Sequence, residues 1–330
     1  MRSNNLIIGV IFSIIDMIIC SSITHANNIN WHIWVDNVRK EALAKGITPT
    51  TFDAAFATIH EPSRQVQGFL HSQPEKRLTF NRYLQTRADN YRISMGRKYY
   101  AQNKKLLDKI GQDFAVDPCF IVAFWGMESS YGTYLGDFPV IKSLATLAYD
   151  SNRKDFFRNE LFLALQILQG GHVTLANFKG EWAGASGQPQ FLPSSWVQYA
   201  VDYDADGHKN IWTSKADVFA SIANYMKQNG WHAGEPWAIH VKLPRHFNEK
   251  LIGKSITKSV GEWDAMGVRT LANQNLPYSN LKASIVHPNG GPVFLAFPNY
   301  KMILRYNNSI YYAGAIGYIA DNICLLIRRA

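Results

Sequence analysis

The sequence PCFIVAFWGMESSYGTYLGD, residues 118–137, predicts an amphipathic helix with a carboxylate on its apolar face. Ile121, Phe124 and Trp125 recur at helical spacing, and the next position on that face is Glu128. The small residues of the SSYG segment that follows are expected to end the helix or to open its packing. We expect the rest of the chain to be organised around this helix.

A carboxylate on an apolar face is costly when it is ionised and shielded from water, so its protonated form is favoured. A carboxyl group that is protonated near neutral pH meets the requirement for a general acid. Two alternatives remain open for Glu128. It is a buried side chain satisfied by hydrogen bonds, or a side chain at the helix end that reaches solvent.

Residues 1–26 have the features of a cleaved signal peptide. Arg2 precedes an apolar run from Leu6 to Cys20, which Asp16 interrupts, and a site of small residues precedes Asn27. The run is short for a transmembrane helix. We therefore predict export, with retention of the segment as an uncleaved anchor as the alternative.

The chain is basic, with 34 Lys and Arg residues against 25 Asp and Glu residues and a formal net charge of +9. In an exported protein rich in aromatic residues, this balance favours an anionic polymer such as the cell wall or outer envelope as a partner. Nucleic acid is not expected, because no block of Lys and Arg occurs. After the predicted signal peptide two cysteines remain, Cys119 and Cys324. Each is interpreted as a buried small residue, and export also permits a disulfide between them.

Residues 29–112 predict a helical scaffold. Thr48-Pro49 is typical of a helix start, with threonine as the N-cap and proline at the first helical position. After a polar loop around residues 73–75, one long helix is expected over residues 78–110, because no proline interrupts this segment.

KGEWAGASGQPQFLPSS, residues 179–195, combines glycines with aromatic and amide side chains. Trp182 and Phe191 offer faces on which sugars stack, and Gln188 and Gln190 offer amide hydrogen bonds to hydroxyl and N-acetyl groups. This mixture suits a glycan ligand. The alternative is an ordinary glycine-rich connection that leads into a capped turn.

DYDADGHKNIW, residues 202–212, matches the first half of an EF-hand calcium loop, with acidic residues at alternate positions before a glycine turn. The closing glutamate of a standard loop is replaced by Thr213, and the next carboxylate lies at the start of a helix expected over residues 217–229. A solvated acidic turn and an N-cap cluster are the alternatives. The predicted ligands are Asp202, Asp204, Asp206, His208 and Asp217.

Residues 236–303 change to short alternating runs separated by Pro, Gly and Asn turns, which predicts a small β-rich lobe. The runs are 237–241, 283–286 and 293–297, and Asn289-Gly290-Gly291 indicates a hairpin. Helix is expected to return over residues 310–327.

Six motifs, in this order, resemble the lytic murein transglycosylase B family, glycoside hydrolase family 103. They are GMESSYG, SLATLAYD, KGEWAGASGQPQFLPSSW, VDYDADGHKNIW, SIANYMKQNGW and RYNNSIYYA. The resemblance covers essentially the whole chain after the predicted signal peptide. It implies a mainly α (α+β) fold, in which a lysozyme-like helical core, a helical lobe and a small inserted β-rich lobe surround a deep cleft.

The resemblance also implies a division into lobes. Residues 1–26 are the signal peptide, 27–110 an N-terminal helical lobe, 111–235 the catalytic core with the EF-hand-like loop, 236–303 the β-rich lobe and 304–330 a C-terminal helix that returns to the core.

By this resemblance Glu128 is the catalytic acid, and the Asp-rich loop binds Ca²⁺ through the ligands named above. The implied substrate-binding residues are Glu181, Gln190, Tyr225, Tyr306 and Tyr312. Glu181 departs from the family, which places a small hydroxyl residue at this position. A second carboxylate close to Glu128 would alter its titration, whereas Glu181 pointing outward or binding substrate would not.

The implied reaction cleaves the bond between N-acetylmuramic acid and N-acetylglucosamine with a single carboxyl group. Glu128 protonates the linking oxygen, while the N-acetyl oxygen of the substrate stabilises the positive charge at C1. The carboxylate then takes the proton of the C6 hydroxyl, which closes onto C1 as a 1,6-anhydro ring. This chemistry requires no cofactor, and Ca²⁺ is expected to be structural.

The expected partners are peptidoglycan glycan strands, with other cell-wall enzymes as further candidates, and the expected location is the periplasm. Membrane association is expected only if the signal segment is retained. Two alternative functions remain open. One is a lysozyme-like hydrolase, which Glu181 would favour if it positioned a water molecule, and the other is a non-catalytic peptidoglycan-binding scaffold protein.

Overall fold

The structure is a computed structural model that describes residues 30–71 and 78–327. The predicted signal peptide and the loop around residues 73–75 lie outside these residues. The described chain separates into two compact units. The first comprises residues 30–71, 136–185 and 192–194, and the second comprises residues 78–135, 186–191 and 195–327. The lobe boundaries expected from the resemblance stay predictions.

Helices dominate the described residues, which confirms the predicted mainly α class. The helices are α1 (30–44), α2 (Pro49–Phe56), α3 (Arg64–His71), α4 (Phe80–Arg87), α5 (Asn90–Gln102), α6 (Lys104–Phe114), α7 (Pro118–Ser129), α8 (Val140–Asp150), α9 (Lys154–Gln169), α10 (Pro193–Tyr199), α11 (Lys215–Gln228), α12 (Val260–Ala265), α13 (Pro298–Tyr306) and α14 (Ile310–Ile327). The strands are β1 (Phe138–Pro139), β2 (Lys179–Gly180), β3 (Ala238–Lys242), β4 (Lys258–Ser259), β5 (Arg269–Thr270), β6 (Lys282–Val286) and β7 (Phe294–Ala296). Across the two described ranges, no helix combines the length and the apolar character needed to cross a membrane.

In the first unit, α2 and α3 pack against the α8–α9 pair, and Trp31 of α1 packs against Tyr149 of α8. As predicted, Thr48 caps α2, because its hydroxyl accepts a hydrogen bond from the Thr51 backbone N–H at 3.2 Å. The side chain of Gln169 ties the end of α9 to this cap. Its Oε1 accepts from the Thr48 backbone N–H at 2.7 Å, and its Nε2 donates to the Gly46 carbonyl at 3.0 Å.

The single long helix predicted over residues 78–110 is wrong, because the second unit has three helices there, α4, α5 and α6. Asp89 caps α5 by accepting a hydrogen bond from the Arg92 backbone N–H at 2.8 Å. Asn103 separates α5 from α6 and bonds the Tyr99 carbonyl through its side chain at 2.8 Å. Short polar side chains that bond nearby backbone groups compete with helix continuation, and a search for proline does not find such breaks.

Helix α7 lies in the second unit and is buried on every side over residues 119–126, so the prediction of an amphipathic helix is wrong. Asp117 caps its start by accepting from the Cys119 backbone N–H at 2.9 Å. Helix α14 packs against α7, and a disulfide joins Cys119 to Cys324 near its end. The disulfide spans a sequence separation of 205. A crosslink of this kind typically stabilises a fold by about 2–5 kcal/mol.

The β-rich segment forms a five-stranded antiparallel sheet in the order β4-β6-β7-β3-β5, which confirms the three predicted runs. Strands β6 and β7 pair with Val286 opposite Phe294. The predicted turn lies between them, and Gly290 there has a φ of 67°, which favours glycine. Trp263 of α12 fills the core beneath the sheet and donates from its indole N–H to the Ala283 carbonyl at 3.0 Å.

Helix α13 was not predicted, because it begins inside the expected β-rich segment. Pro298 stands in its first turn, where its missing N–H costs no hydrogen bond. The alternating run that ends at residue 297 conceals this start in the sequence.

Candidate active site

Glu128 is the penultimate residue of α7 and is half-buried. After it the chain turns through three left-handed residues, Ser130, Tyr131 and Gly132, with φ values of 50°, 64° and 79°. A Cβ on Gly132 would lie 2.4 Å from Gln188 Oε1, so glycine is required there. Non-glycine residues in this region persist only when their surroundings hold them. The predicted helix end at this segment is confirmed.

Arg92 and Tyr131 hold this turn. The Tyr131 hydroxyl donates to the Arg92 carbonyl at 2.7 Å. The Arg92 guanidinium donates to the Gly126 carbonyl, and to Ser130 Oγ at 3.4 Å. These contacts fix the last turn of α7 and with it the position of Glu128.

Tyr312 of α14 contacts the predicted acid directly. Its hydroxyl donates a hydrogen bond to Glu128 Oε1. Burial, and then the nearby charge of Glu128, raise the pKa of Tyr312 well above its ordinary value. The hydroxyl therefore keeps its proton and acts as a donor to the carboxyl group.

Tyr306 and Tyr225 form an aromatic layer next to this pair. The Tyr306 ring lies 4.7 Å from the Phe124 ring and 4.6 Å from the Tyr225 ring. Burial, followed by the charge of Glu128, raises the pKa of Tyr306 well above its ordinary value, and burial raises that of Tyr225 to about 12. The structure thus brings together Glu128 and the three tyrosines named from the sequence.

The two glutamines of the glycine-rich stretch have different surroundings. Gln188 is buried, and its Oε1 accepts from the Trp125 indole N–H at 2.6 Å. Gln190 has a left-handed backbone with a φ of 53°, and its Nε2 donates to the Gly187 and Leu135 carbonyls at 2.9 and 3.1 Å. Its Oε1 is buried and accepts no hydrogen bond within the described residues. A buried amide oxygen of this kind is costly without a donor, so it is suited to a ligand N–H or O–H group.

Glu181 and Trp182 belong to the first unit. Trp182 stacks on Phe69 with ring centroids 6.0 Å apart. Glu181 is half-buried, and burial, followed by the negative charge of Asp137, raises the pKa of its carboxyl group. Glu181 therefore keeps its proton to a higher pH than an exposed glutamate.

Tyr83 of α4 is a neighbour of the candidate site that the sequence did not indicate. Its ring lies edge-on to Tyr311 at 5.8 Å. Burial is the largest cause of its raised pKa, and the charge of Glu128 adds to it. The Tyr83 hydroxyl therefore lies within electrostatic range of Glu128. The sequence does not indicate that Tyr83 lies near Glu128, because tyrosines also occur in polar helices that are exposed to solvent.

The Asp-rich loop brings three of its predicted ligands together. One carboxylate oxygen each from Asp202, Asp204 and Asp217 lies within 4.8 Å of the other two. Asp217 in the first turn of α11 is fully buried. Burial is the largest cause of the raised pKa of Asp217. Two backbone hydrogen bonds to its carboxylate lower this pKa, and the charges of the other two carboxylates raise it. Converging carboxylate oxygens are the donors that a hard divalent cation such as Ca²⁺ prefers.

Hydrogen bonds within the loop give it its shape. The Asp217 carboxylate accepts from the backbone N–H groups of Tyr203 and Asn210 at 2.8 and 2.7 Å. Asp206 lies outside the three-carboxylate cluster, and its Oδ1 accepts from the His208 backbone N–H at 2.8 Å. The predicted helix after the loop is confirmed as α11.

Comparison with known proteins gives consistent matches. The family model of the transglycosylase SLT domain matches residues 30–321. The chain is 31% identical over 242 residues to the membrane-bound lytic murein transglycosylase B of Escherichia coli, a match that covers 71% of this chain and 64% of that protein. The chain therefore spans less than two thirds of the length of that relative.

Solved structures with the same architecture confirm the predicted fold class. SltB3 from Pseudomonas aeruginosa, in complex with NAG-anhNAM-pentapeptide, matches with a TM-score of 0.86 and 44% identity over 89% of this chain and 79% of its own. Slt35 from Escherichia coli, in complex with calcium, matches with a TM-score of 0.77 and 26% identity over 91% of this chain and 93% of its own.

Proposed function

We propose, because the chain belongs to the transglycosylase SLT domain family, that it is a lytic transglycosylase acting on peptidoglycan glycan strands. The observation that carries this proposal is the hydrogen bond from the hydroxyl of buried Tyr312 to Glu128, which places a protonated phenol against the carboxyl group. The relatives support it, since one is named a lytic murein transglycosylase and another was crystallised with a ligand containing an anhydro-muramoyl sugar.

Glu128 acts first as acid and then as base. Because Tyr312 donates to Oε1, we assign the transferred proton to Oε2. This proton goes to the oxygen that links N-acetylmuramic acid to N-acetylglucosamine, and the C1–O bond breaks. The substrate N-acetyl oxygen stabilises the charge at C1. The carboxylate then accepts the proton of the C6 hydroxyl as the new C1–O6 bond forms, which restores the acid.

The remaining site residues bind and orient the glycan. Gln190 offers its buried Oε1 to a hydroxyl or N-acetyl N–H of the substrate. Tyr225 and Tyr306 form an apolar wall beside Glu128 that excludes water. A glycan held in this way places its C6 hydroxyl ahead of water as the nucleophile. Glu181 is the further proposed substrate-binding residue.

Calcium binding by the Asp-rich loop is part of the proposal. The fit rests on the carboxylate oxygens of Asp202, Asp204 and the fully buried Asp217, which lie within 4.8 Å of one another, because a divalent cation would offset their mutual repulsion. The proposed ligands are Asp202, Asp204, Asp206, the His208 carbonyl and Asp217. The ion would hold the loop against α11, and it takes no part in the reaction. Slt35 in complex with calcium supports this.

Export to the periplasm follows from the predicted signal peptide, and the basic charge of +9 favours an anionic polymer there as the partner. The cell wall on which the relatives act is consistent with that location. Glycan strands of peptidoglycan are the proposed partner.

Mass spectrometry of the muropeptides that the protein releases from purified peptidoglycan tests the activity, with Glu128→Gln run beside it. We expect products one water lighter than hydrolytic products, and their loss in the variant. Products with a reducing end would instead identify a lysozyme-like hydrolase. If the wild type releases nothing with calcium present across a range of pH, the chain is a binding or scaffold protein.

A further inference from the structure

Gln188 is a buried side chain of the glycine-rich stretch whose amide group bonds two other parts of the second unit. Only 8% of this residue is exposed to solvent. Its Oε1 accepts from the Trp125 indole N–H at 2.6 Å, and its Nε2 donates to the Trp212 carbonyl at 2.8 Å. Both ends of the amide group are therefore engaged within the protein, unlike the Oε1 of Gln190, which accepts no hydrogen bond within the described residues.

One end of the amide group is anchored at the end of the Asp-rich loop. Besides the side-chain bond to the Trp212 carbonyl, the Gln188 backbone N–H donates to the Ile211 carbonyl at 2.9 Å. Ile211 and Trp212 are both buried, and the residue before them, Asn210, donates its backbone N–H to Asp217 at 2.7 Å. Gln188 is therefore held by its side chain and its backbone on a segment that is itself bonded to the start of α11.

The other end of the amide group bonds the helix that carries the proposed acid. Trp125 lies in α7 three residues before Glu128. Residues three apart on a helix are neighbours on its surface, so the indole ring and the carboxyl group stand on the same side of the last turn of α7. A hydrogen bond that holds the indole ring therefore also limits the movement of this turn.

Gln188 also packs against the turn that follows Glu128. Its Oε1 fills the space beside Gly132, where an added Cβ would lie 2.4 Å from this oxygen. The Gly132 backbone N–H in turn donates to Ser129 Oγ at 3.0 Å, which closes the turn onto the end of α7. The Gln188 side chain therefore contacts the chain on both sides of Glu128, at Trp125 before it and at Gly132 after it.

We propose that Gln188 is a positioning residue for Glu128, an inference whose kinetic test rests on the proposed function. Its amide group links α7 to the end of the Asp-rich loop and so fixes where the last turn of α7 lies. The hydrogen bond from Tyr312 to Glu128 depends on the place of this turn. A misplacement of about 1 Å can cost roughly 10²-fold in rate, so loss of the link lowers kcat without removing a contact to the glycan.

Gln188→Met tests this role, because methionine keeps the length of the side chain but has neither the amide oxygen nor the N–H donors of glutamine. Trp263→Phe is the matched control. It also removes a buried hydrogen bond from an indole N–H, the one to the Ala283 carbonyl beneath the β-rich sheet. Steady-state kinetics on peptidoglycan strands and thermal unfolding compare both variants with wild type, which separates a change in rate from a loss of stability.

For Gln188→Met we expect kcat to fall by roughly 10- to 100-fold while KM stays close to that of wild type, the pattern of an interaction that acts in the transition state. Trp263→Phe should lower the Tm and leave kcat unchanged. A wild-type kcat in Gln188→Met, or an equal loss of kcat in the control, would overturn the positioning role. A rise in KM alone would overturn it as well, because Gln188 would then bind the glycan.

Trp125→Phe keeps the inference testable if Gln188→Met does not fold. This variant retains an aromatic ring and removes the N–H that Gln188 accepts, so it should lower kcat in the same way. Where both variants fold, the double variant should lose no more kcat than the more impaired single variant, because both remove the same hydrogen bond. An unchanged kcat in Trp125→Phe, or fully additive losses in the double variant, would overturn the link.

The proposed function can fail separately. If wild type yields no anhydro product, that function is wrong, and the positioning role is then tested without substrate by NMR of the Tyr312 ring, whose resonances are assigned with Tyr312→Phe. Gln188→Met should shift these resonances, because it moves the carboxyl group that the Tyr312 hydroxyl contacts, and Trp263→Phe should not. Unchanged Tyr312 resonances in Gln188→Met would overturn the positioning role in that case too.

Discussion

Glu128 and Asp217 are two carboxyl groups of the same unit in opposite surroundings. Glu128 is half-buried, and it accepts a hydrogen bond from the neutral hydroxyl of Tyr312. Asp217 is fully buried and lies with Asp202 and Asp204 in one cluster. The carboxyl group of Glu128 accepts a hydrogen bond from a neutral phenol, whereas three converging carboxylates repel one another until a cation binds. The neighbours of a carboxylate, more than its burial, therefore assign its role.

Removal of the acid should have the largest effect. Glu128→Gln keeps the size of the side chain but removes the proton, and we expect kcat to fall by roughly 10³-fold, within the range for loss of general acid–base catalysis. The rate of release of anhydro-muropeptides measures it. The control is Glu249→Gln on the exposed surface, which should match wild type. More than a tenth of the wild-type rate in Glu128→Gln would contradict the role assigned to this residue.

Removal of calcium tests the role assigned to the carboxylate cluster of Asp202, Asp204 and Asp217. At a free concentration one hundred times the dissociation constant, a bound ion stabilises the folded state by about 2.7 kcal/mol, so a chelator should lower the Tm by several degrees. Asp204→Asn should reduce this difference, because it removes a carboxylate from the cluster. Scanning calorimetry with calcium and with chelator provides the measurement. The same Tm in both conditions would leave the loop as an acidic turn.

Asp206→Asn refines the ligand set. Asp206 lies outside the cluster, and its Oδ1 accepts from the His208 backbone N–H. If Asp206 is a ligand as predicted, the variant reduces the calcium-dependent shift in Tm as Asp204→Asn does. If it only shapes the loop, the variant leaves the calcium-dependent shift in Tm unchanged, because the amide oxygen of asparagine still accepts the hydrogen bond from the His208 backbone N–H.

Tyr312→Phe removes the neutral hydroxyl that donates a hydrogen bond to Glu128. The hydroxyl is a donor, because the raised pKa of Tyr312 keeps it protonated. Loss of a hydrogen bond to a charged group costs about 1.5–3 kcal/mol, so kcat should fall tenfold or more while KM changes little. Tyr318→Phe on the exposed side of the same helix is the control. If KM alone rises, Tyr312 binds substrate and does not assist Glu128.

Residues that belong to a local sequence pattern were easier to predict than the residues that contact them from distant parts of the chain. The spacing around Glu128 and the alternation in the Asp-rich loop are local patterns, and both could be found without a structure. Tyr312 reaches Glu128 across 184 residues of sequence, so only the family resemblance indicated it. Tyr83 and the pairing of Cys119 with Cys324 depend on packing between distant helices, which periodicity does not encode.

Glu181 should have the smallest effect, and it tests whether burial alone can make a second carboxyl group behave like an acid. Its folded-state pKa is raised, first by burial and then by Asp137. Its protonated form therefore contributes stability that is present below the ordinary value of 4.5 and is lost as the pH rises through the folded-state value. Glu181→Gln stays neutral, so its Tm relative to wild type should increase from below pH 4.5 to about pH 7, by a small amount because water screens a half-exposed group. Asp137→Asn removes the negative charge that is the second cause of the raised pKa. In that background, Glu181→Gln should therefore give a smaller increase in Tm between the two pH values. A Tm difference that is the same at both pH values would show that Glu181 is ionised as freely as an exposed glutamate, and its surroundings would then resemble neither of the two sites.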